Sequence, residues 1–432
     1  MLYRDGLHCC CRPSACFSGI CNEGWFIAPV SLRNWLEWRG AKMIKDLVVH
    51  IGDPKTGTSS IQKALQQGAC HCDSKVIVPQ RELNASALAN SLNPNRGEEQ
   101  KRVRARERLF TQKAEWAREN DGDIGVISAE FFAGVAPQDL DAALKEYLPD
   151  YAERVRIIAY VRPHAARALS GYAQRLKTGS YVGSLDEFVK RLPKVHLVRY
   201  APRFGAWQDY YGDRFTLRPF VRGEMYEGDV VPDFFREVLE GRAFTLDELP
   251  STNESLALEE LTVLQRLQAR FIEQGVPKFL RLALGAALGR AFAAQTQRYR
   301  GKLKLDRANA QVLHEAFLED ARELDRRFFG KELMEGELGR ALKTAVPEPS
   351  RMDIQSFYTS EQLALLDRIA DALAALVRDR PHAWRNEYQR RNGQRFDRIL
   401  SGKEGREQRK NADQVWALLD ELASGLQPCA VN

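Results

Sequence analysis

Several hallmarks of specialised protein classes are missing from this sequence. No apolar run among its 432 residues approaches the roughly 18 consecutive residues that a membrane-spanning helix needs. Internal repeats and low-complexity tracts are also missing, so neither a solenoid nor a fibrous array is expected. The hydrophobic share of 44% is enough for one large or two medium domains with real cores.

The chain also lacks a strong excess of charge of either sign. Lysine and arginine number 64, and aspartate and glutamate number 58, which leaves a mild basic balance. Such a balance suits an anionic ligand, whereas nucleic-acid binding needs a concentrated basic stripe that the sequence does not contain. No nucleic-acid partner is therefore expected.

Paired C-x-x-C units, which make zinc sites convincing, are missing from the eight cysteines. Five of the eight fall in the first 21 residues, beside His8, but their spacing does not predict a metal site. Residues 1–42 also lack the apolar core of a secretory leader. We interpret Met43 as the natural start, or residues 1–42 as a loosely ordered extension. The remaining cysteines, Cys70, Cys72 and Cys429, are too scattered for a disulfide framework, so reduced thiols and a cytoplasmic location are expected.

One stretch, residues 47–62, organises the rest of the chain, and it reads LVVHIGDPKTGTSSIQ. Its first five residues are typical of a buried strand. Gly52 and Gly57 predict a tight turn, and the hydroxyl residues after Gly57 are N-cap candidates for a following helix. A strand that leads through such a loop into a helix directs backbone N–H groups and a positive dipole end to one point, which favours a phosphate group.

The two glycines have the spacing of an ATP-binding P-loop, G-x-x-x-x-G-K-[ST], but Thr58 stands where that motif has its lysine. The lysine lies inside the loop instead, at Lys55. A strand followed by Pro-Lys-Thr-Gly-Thr-Ser resembles the 5′-phosphosulfate loop of sulfotransferases, which use 3′-phosphoadenosine 5′-phosphosulfate (PAPS).

A second motif spans residues 156–179 and reads RIIAYVRPHAARALSGYAQRLKTG. It predicts a buried strand that ends at Arg162, then a helix from His164 onward. Arg162 and Ser170 resemble the 3′-phosphate-binding element of the same family. Arginine suits that task because its planar fork makes paired, charge-assisted bonds to a phosphate. The alternative is that Arg162 caps a strand and Ser170 packs within a helix.

The resemblance to bacterial PAPS-dependent sulfotransferases extends from Met43 to about Gly330. It implies an α/β fold with a central parallel sheet flanked by helices, as in P-loop NTPases, and the alternation of short apolar strands with helices predicts the same. Two residues depart from the family pattern. Asp53 is an acid in a loop that should bind an anion, and is expected either to point away or to contact the acceptor. Pro163 follows Arg162 where many members have Asp or Asn.

The resemblance also implies roles for individual residues. Lys55 would hold the 5′-phosphate and the bridging oxygen, and Arg162 with Ser170 would fix the 3′-phosphate, so that PAPS is selected over ATP. No metal is expected, because the enzyme itself supplies the cations. The remaining donors to the cofactor are expected from Thr56, Gly57, Thr58, Ser59 and Ser60.

The acceptor hydroxyl needs a base, and Glu130 is the first candidate because it follows a predicted strand at residues 123–128. Phe131 and Phe132 beside it are expected to raise its pKa by desolvation. The alternative is that Glu130 is only a helix-start acid that interacts with the helix dipole. His50 is expected to be buried in its strand, and His164 and His196 are weaker candidates.

Three regions are predicted: residues 1–42 as a poorly defined extension, 43–330 as a sulfotransferase domain, and 331–432 as a helical C-terminal region. The predicted function is transfer of a sulfuryl group from PAPS to a hydroxyl of a glycan or lipid-linked acceptor. A P-loop-type small-molecule kinase and a catalytically silent nucleotide-binding protein are the alternatives.

Deletion of residues 1–42 should leave folding intact, because the first predicted strand begins after Met43. We expect the truncated and full-length chains to melt within a few degrees of each other in a thermal scan. A large loss of stability on truncation would show instead that the cysteine-rich segment packs onto the core or binds a metal.

Overall fold

The computed structural model describes residues 43–249, 256–294, 301–350, 352–391, 402–426 and 428. The interpretations of residues 1–42 and of Cys429 lie outside these ranges. Within them, no helix is both long enough and apolar enough to cross a bilayer.

The order of elements alternates strands and helices in the first half and is helical afterwards. The strands are β1 Ile44–Ile51, β2 Cys70–His71, β3 Ile77–Pro79, β4 Gly122–Ala129, β5 Arg156–Val161, β6 Phe215–Pro219 and β7 Thr245–Leu246. The helices among the strands are α1 Thr58–Gln67, α2 Ser86–Leu92, α3 Glu99–Glu119, α4 Pro137–Tyr147, α5 Pro149–Ala152, α6 His164–Thr178, α7 Leu185–Arg191, α8 Tyr200–Tyr211 and α9 Val230–Val238. The later helices are α10 Leu258–Glu273, α11 Lys278–Ala293, α12 Arg307–Leu324, α13 Met334–Thr344, α14 Ser360–Asp379, α15 Pro381–Arg391 and α16 Gly402–Gly425.

Five strands form one sheet in the order β3-β4-β1-β5-β6, and every neighbouring pair in it is parallel. β2 and β7 form a separate antiparallel pair. β1 is the central strand, and its residues from Leu47 to Ile51 are buried on both faces, as a strand covered by helices on each side requires. The prediction of a central parallel sheet flanked by helices is confirmed.

The alternation of side chains along β1 separates two apolar cores. Leu47, Val49 and Ile51 pack on one face with α2, α3, α4, α6, α8, α12 and α13. Val48 packs on the other face with α1 and α9. Because successive strand residues point to opposite faces, one short strand anchors both layers. The carboxyl ends of the strands consequently meet at one edge, where ligands of open parallel sheets lie.

A third apolar core consists of helices alone, and it does not follow the predicted boundary at residue 330. α10 and α11 pack with α14, α15 and α16, whereas α12 and α13 belong to the core of the sheet. The chain therefore enters the helical core, returns to the sheet, and enters the helical core again. The helical character of residues 331–432 is confirmed where these residues are described.

Two local predictions are wrong in informative ways. The Asn, Ser and Gly content of residues 82–97 predicts an irregular loop, yet α2 forms inside them because Leu88, Ala89 and Leu92 bury one face against the core. The hydroxyl residues after the loop do not cap α1. Its N-cap is Gly57, at φ 77°, and no side chain makes a cap bond there. Only a residue that tolerates a left-handed backbone fits this position well.

Gly125 of β4 leaves room for the indole ring of Trp116, a residue of α3 that packs against the sheet. A Cβ atom at Gly125 would come within 2.8 Å of that ring and 2.9 Å of Ile44. Gly125→Ala should therefore cost about 1–3 kcal/mol of unfolding free energy through overpacking.

Gly339→Ala in α13 is the matched control, because a Cβ there meets nothing within 4 Å. It should stabilise the protein by about 0.5–1 kcal/mol through helix propensity. Denaturant unfolding measures both changes. Equal free energies of unfolding for the two variants would show that the close packing around Gly125 relaxes without cost.

Candidate functional site

The glycine-containing loop lies at the carboxyl end of β1, between the end of β4 and the start of α9. The Gly52 N–H donates to the Ala129 carbonyl at 2.9 Å. A Cβ at Gly52 would come within 2.8 Å of the Glu130 backbone, and one at Gly57 within 2.6 Å of Val230. Both glycines are therefore required by close backbone approach, and they fix the path of the loop.

The loop side chains are divided between the interior and the surface. Thr56 is buried, and its hydroxyl donates to the Asp53 carbonyl at 2.7 Å. Thr58 is buried with a hydroxyl that has no partner in the structure, while Ser60 is half-buried and Ser59 is exposed. Lys55 has φ 72°, an uncommon value for a residue with a side chain. The Ser60 and Ile61 N–H groups both donate to the Gly57 carbonyl, at 2.9 and 3.2 Å, so the first turn of α1 closes on the loop itself.

Arg162 lies at the end of β5 and contacts the same loop. Its Nη1 donates to the Lys55 carbonyl at 3.0 Å, and its guanidinium stands 5.4 Å from the centroid of the Phe220 ring. Burial, together with the charge of Arg167, lowers the pKa of Arg162. The two sequence motifs, more than a hundred residues apart, therefore meet at one point.

Helix α6 supplies a second connection to the loop. Lys55 Nζ donates to Gln174 Oε1 at 2.6 Å. Gln174 shares one face of α6 with Arg167, Ser170 and Lys177, because these positions are three or four residues apart. Ser170 is half-buried on this face, one turn before Gln174.

The electrostatics at Lys55 show an excess of positive charge. The pKa of Lys55 is lowered to about 8, mainly by burial and in smaller part by the nearby cations Lys177, Arg167 and Arg162, while Glu130 opposes them. Burial and Arg290 also lower the pKa of Lys177. A cluster of partly desolvated cations of this kind is favourable only when an anion neutralises it.

Glu130 is the first residue of a short 3-10 turn, Glu130–Gly134, directly after β4. It is half-buried. Burial raises its pKa, Asp53 raises it further, and Lys55 and Arg167 lower it. Phe132 is buried in the core, but Phe131 is 38% exposed and lies under the Arg96 guanidinium. The pKa of Glu130 is therefore raised by burial although only one of the two neighbouring phenylalanines, Phe132, is itself buried.

The Asp53 side chain points from the loop into the protein interior. Its Oδ1 accepts from Arg203 Nη2 at 2.7 Å, and the two side chains are 2% and 6% exposed. The Arg203 guanidinium also stands 4.2 Å from the centroid of the Phe204 ring. Burial raises the pKa of Asp53, and Arg203 opposes that shift. The acid thus joins the loop to α8, where Arg203 balances its charge.

In the described part of the chain, no hydrogen bond joins Lys55 to any of the three histidines considered from the sequence. His50 is buried, its Nδ1 lies 2.9 Å from Ser128 Oγ, and burial lowers its pKa to about 3, so the expectation of a buried strand residue is confirmed. His164 Nε2 lies 2.9 Å from Asp320 Oδ2, between the rings of Tyr200 and Phe317. His196 is exposed in a short 3-10 turn.

Sequence reasoning missed the parts of the site that depend on the face of α6 and on α8. Arg167, Lys177 and Arg203 were not singled out, and Gln174 was noted only as part of a motif. Helical spacing from Ser170 could have identified the first two. Nothing in the sequence pairs Arg203 with Asp53, because 150 residues separate them.

No metal centre accompanies these residues. The described ranges contain no group of three or more His, Cys, Asp or Glu side chains that could hold a metal ion. Cys70 and Cys72 are free thiols on and beside β2.

Comparison with known proteins gives little further information. No family model matches the sequence, and no curated protein matches it. Among solved structures, the chain is similar to the sulfotransferase from Alicyclobacillus acidocaldarius, with 14% sequence identity and a TM-score of 0.34. The match covers 65% of this chain and 94% of that one.

Removal of one partner of the Asp53–Arg203 pair should destabilise the protein. Asp53→Leu leaves Arg203 buried without a counter-charge and should cost about 3–5 kcal/mol of unfolding free energy. Addition of Arg203→Met should recover most of that loss, since a buried ion pair can be replaced by apolar residues of similar size.

The exposed pair Arg81–Glu119, with side chains 62% and 61% exposed, is the control. Glu119→Leu should cost no more than about 1 kcal/mol. Denaturant unfolding measures all three variants. If Asp53→Leu and Glu119→Leu cost the same, Asp53 does not support the loop.

Proposed function

We propose that this protein transfers a sulfuryl group from PAPS to an acceptor hydroxyl. The observation that carries the proposal is the excess of positive charge at Lys55, where the loop, Arg162 and α6 meet. A site of this kind favours a ligand with several negative charges.

The residues present fit the two anionic ends of PAPS. Lys55 and the loop donors Thr56, Gly57, Thr58, Ser59 and Ser60 would hold the 5′-phosphosulfate, as the resemblance of the loop implies. The unpartnered, buried hydroxyl of Thr58 supports this, because such a group is costly unless a ligand or water accepts its hydrogen bond. Arg162 and Ser170 would hold the 3′-phosphate. PAPS supplies the sulfuryl group, and 3′-phosphoadenosine 5′-phosphate (PAP) is the product.

Two residues of this chain would act during transfer. Negative charge builds on the leaving phosphate oxygen, and the Lys55 ammonium would stabilise it, as cations do in phosphoryl transfer. Glu130 would accept the proton of the acceptor hydroxyl. Its pKa, raised by burial, brings it closer to the range in which a general base is efficient.

The alternatives draw less support from the site. A P-loop kinase would need a lysine after Gly57, where Thr58 begins α1. A glycan or lipid-linked acceptor and a cytoplasmic location stay predictions from the sequence, and so does the absence of a metal requirement.

PAP should raise the melting temperature more than ADP does, without Mg²⁺, because Arg162 and Ser170 would recognise the 3′-phosphate. Arg162→Ala should remove a paired contact and weaken PAP binding by roughly 2–3 kcal/mol. Calorimetric titration measures the affinity, and thermal scans measure the ranking of the two nucleotides.

Arg214→Ala is the matched control. Arg214 also donates to one backbone carbonyl, that of Ala152 at 2.9 Å, and its guanidinium also stands near an aromatic ring, 5.1 Å from that of Tyr211. PAP affinity should be unchanged in this variant. Equal melting shifts by ADP and PAP, or equal affinities in the two arginine variants, would place the 3′-phosphate elsewhere.

Glu130→Gln keeps the shape of the side chain but removes the base. Turnover with an acceptor found by screening should fall about 10²–10⁴-fold, while PAP affinity stays nearly constant. Glu237→Gln is the control, because burial also raises the pKa of this half-buried carboxyl, which lies next to Arg218. Normal turnover by Glu130→Gln would remove Glu130 from the mechanism.

A further inference from the structure

The Lys55 ammonium is bonded to a neutral partner although a carboxylate is within electrostatic reach. Its hydrogen bond goes to the Gln174 amide oxygen at 2.6 Å, while Glu130 acts on its pKa through space. Like charges on Lys177, Arg167 and Arg162 also influence it. The chemical nature of residue 174 therefore decides how much positive charge is left for a ligand.

An amide oxygen has a property that neither an acid nor an apolar residue offers here. It accepts a strong bond from an ammonium group without cancelling its charge. A carboxylate at this position would neutralise Lys55. An apolar side chain would leave the ammonium without that acceptor in a partly desolvated position, which lowers its pKa further.

The helical core holds Gln174 at the required position along α6. Gln268 Nε2 of α10 donates to the Lys177 carbonyl at 3.0 Å. Arg281 of α11 donates to the Gly179 carbonyl, just past the end of α6. A Cβ at Gly285 would fall within 1.7 Å of the Lys177 carbonyl oxygen, so α11 touches α6 directly. One turn of helix separates these contacts from Gln174.

We infer that Gln174 is a positioning residue for Lys55: its amide oxygen fixes the ammonium at the anion site and leaves the charge available to the ligand. The inference rests on the proposed function only for the identity of that ligand.

The first test needs no ligand. The pH dependence of reductive methylation, followed by mass spectrometry of the peptide that contains Lys55, gives the titration midpoint of this lysine, which we expect at about 8 in the unaltered protein. Gln174→Leu should lower the midpoint by about one pH unit, because a bond to the charged form is lost. Gln174→Glu, which keeps the size of the side chain, should raise it by about one unit or more.

Gln208→Leu is the matched control. Gln208 is half-buried on α8 and makes one hydrogen bond, to the Gly212 carbonyl at 3.2 Å. The Lys55 midpoint should not change in this variant. An unchanged midpoint in both Gln174 variants, or a shift of the same size in Gln208→Leu, would overturn the inference.

The second test uses PAP and separates positioning from a general loss of structure. At pH 8, Gln174→Leu should bind PAP about fivefold more weakly than the unaltered protein, because about a tenth of its Lys55 is protonated against about half. Gln174→Glu should bind PAP about tenfold more weakly. At pH 6, the Leu variant should recover, because its Lys55 is again protonated, whereas the Glu variant should not.

Loss of affinity in the Leu variant that is equal at both pH values would contradict a positioning role. If PAP fails to bind even the unaltered protein while the Lys55 midpoints shift as expected, the proposed function fails and the role of Gln174 stands.

Discussion

The concentration of positive charge around Lys55 is the constraint on which the rest of the site depends. The pKa of Lys55 is about 8 in the folded chain, against an ordinary value of 10.5. Below pH 8 the lysine is protonated in both the folded and the unfolded chain, so the folded state carries the full cost of the buried charge. The cost fades as the pH rises from 8 toward 10.5. An anion relieves the same cost at neutral pH, which couples ligand binding to stability.

Apolar packing and one buried ion pair offset this unfavourable arrangement. β1 packs into one apolar core on each of its faces. The loop that follows it therefore starts from a rigid strand. Asp53 balances Arg203 beneath the loop and does not neutralise Lys55. The third, helical core contacts the end of α6 through hydrogen bonds that Gln268 and Arg281 donate to backbone carbonyls. A region without a proposed part in the chemistry thus sets the position of the helix that carries Ser170 and Gln174.

Much of this could be predicted from local patterns. The strand ending at Ile51, the helix that starts at His164 and the parallel sheet follow from apolar periodicity, because a period of two or of 3.6 residues is a property of neighbouring positions. The loop could be named in advance from its strand–glycine–helix pattern, and Arg162 from its resemblance to the 3′-phosphate-binding element of sulfotransferases. Local reasoning was wrong at residues 82–97, where polar composition concealed the buried face of α2, and at Gly57, where backbone conformation and not a hydroxyl begins α1.

The sequence by itself determined the alternation of strands and helices, the glycine-containing loop after β1 and the residue types available to it. Only the tertiary structure decided which of those residues meet. The Lys55–Gln174 bond spans 119 positions, and the Asp53–Arg203 pair spans 150. The assignment of α10 and α11 to the helical core, and of α12 and α13 to the sheet, was also decided there. The reason is physical: the local sequence sets the amphipathic face of each helix, but the partner of that face depends on the packing of the whole chain.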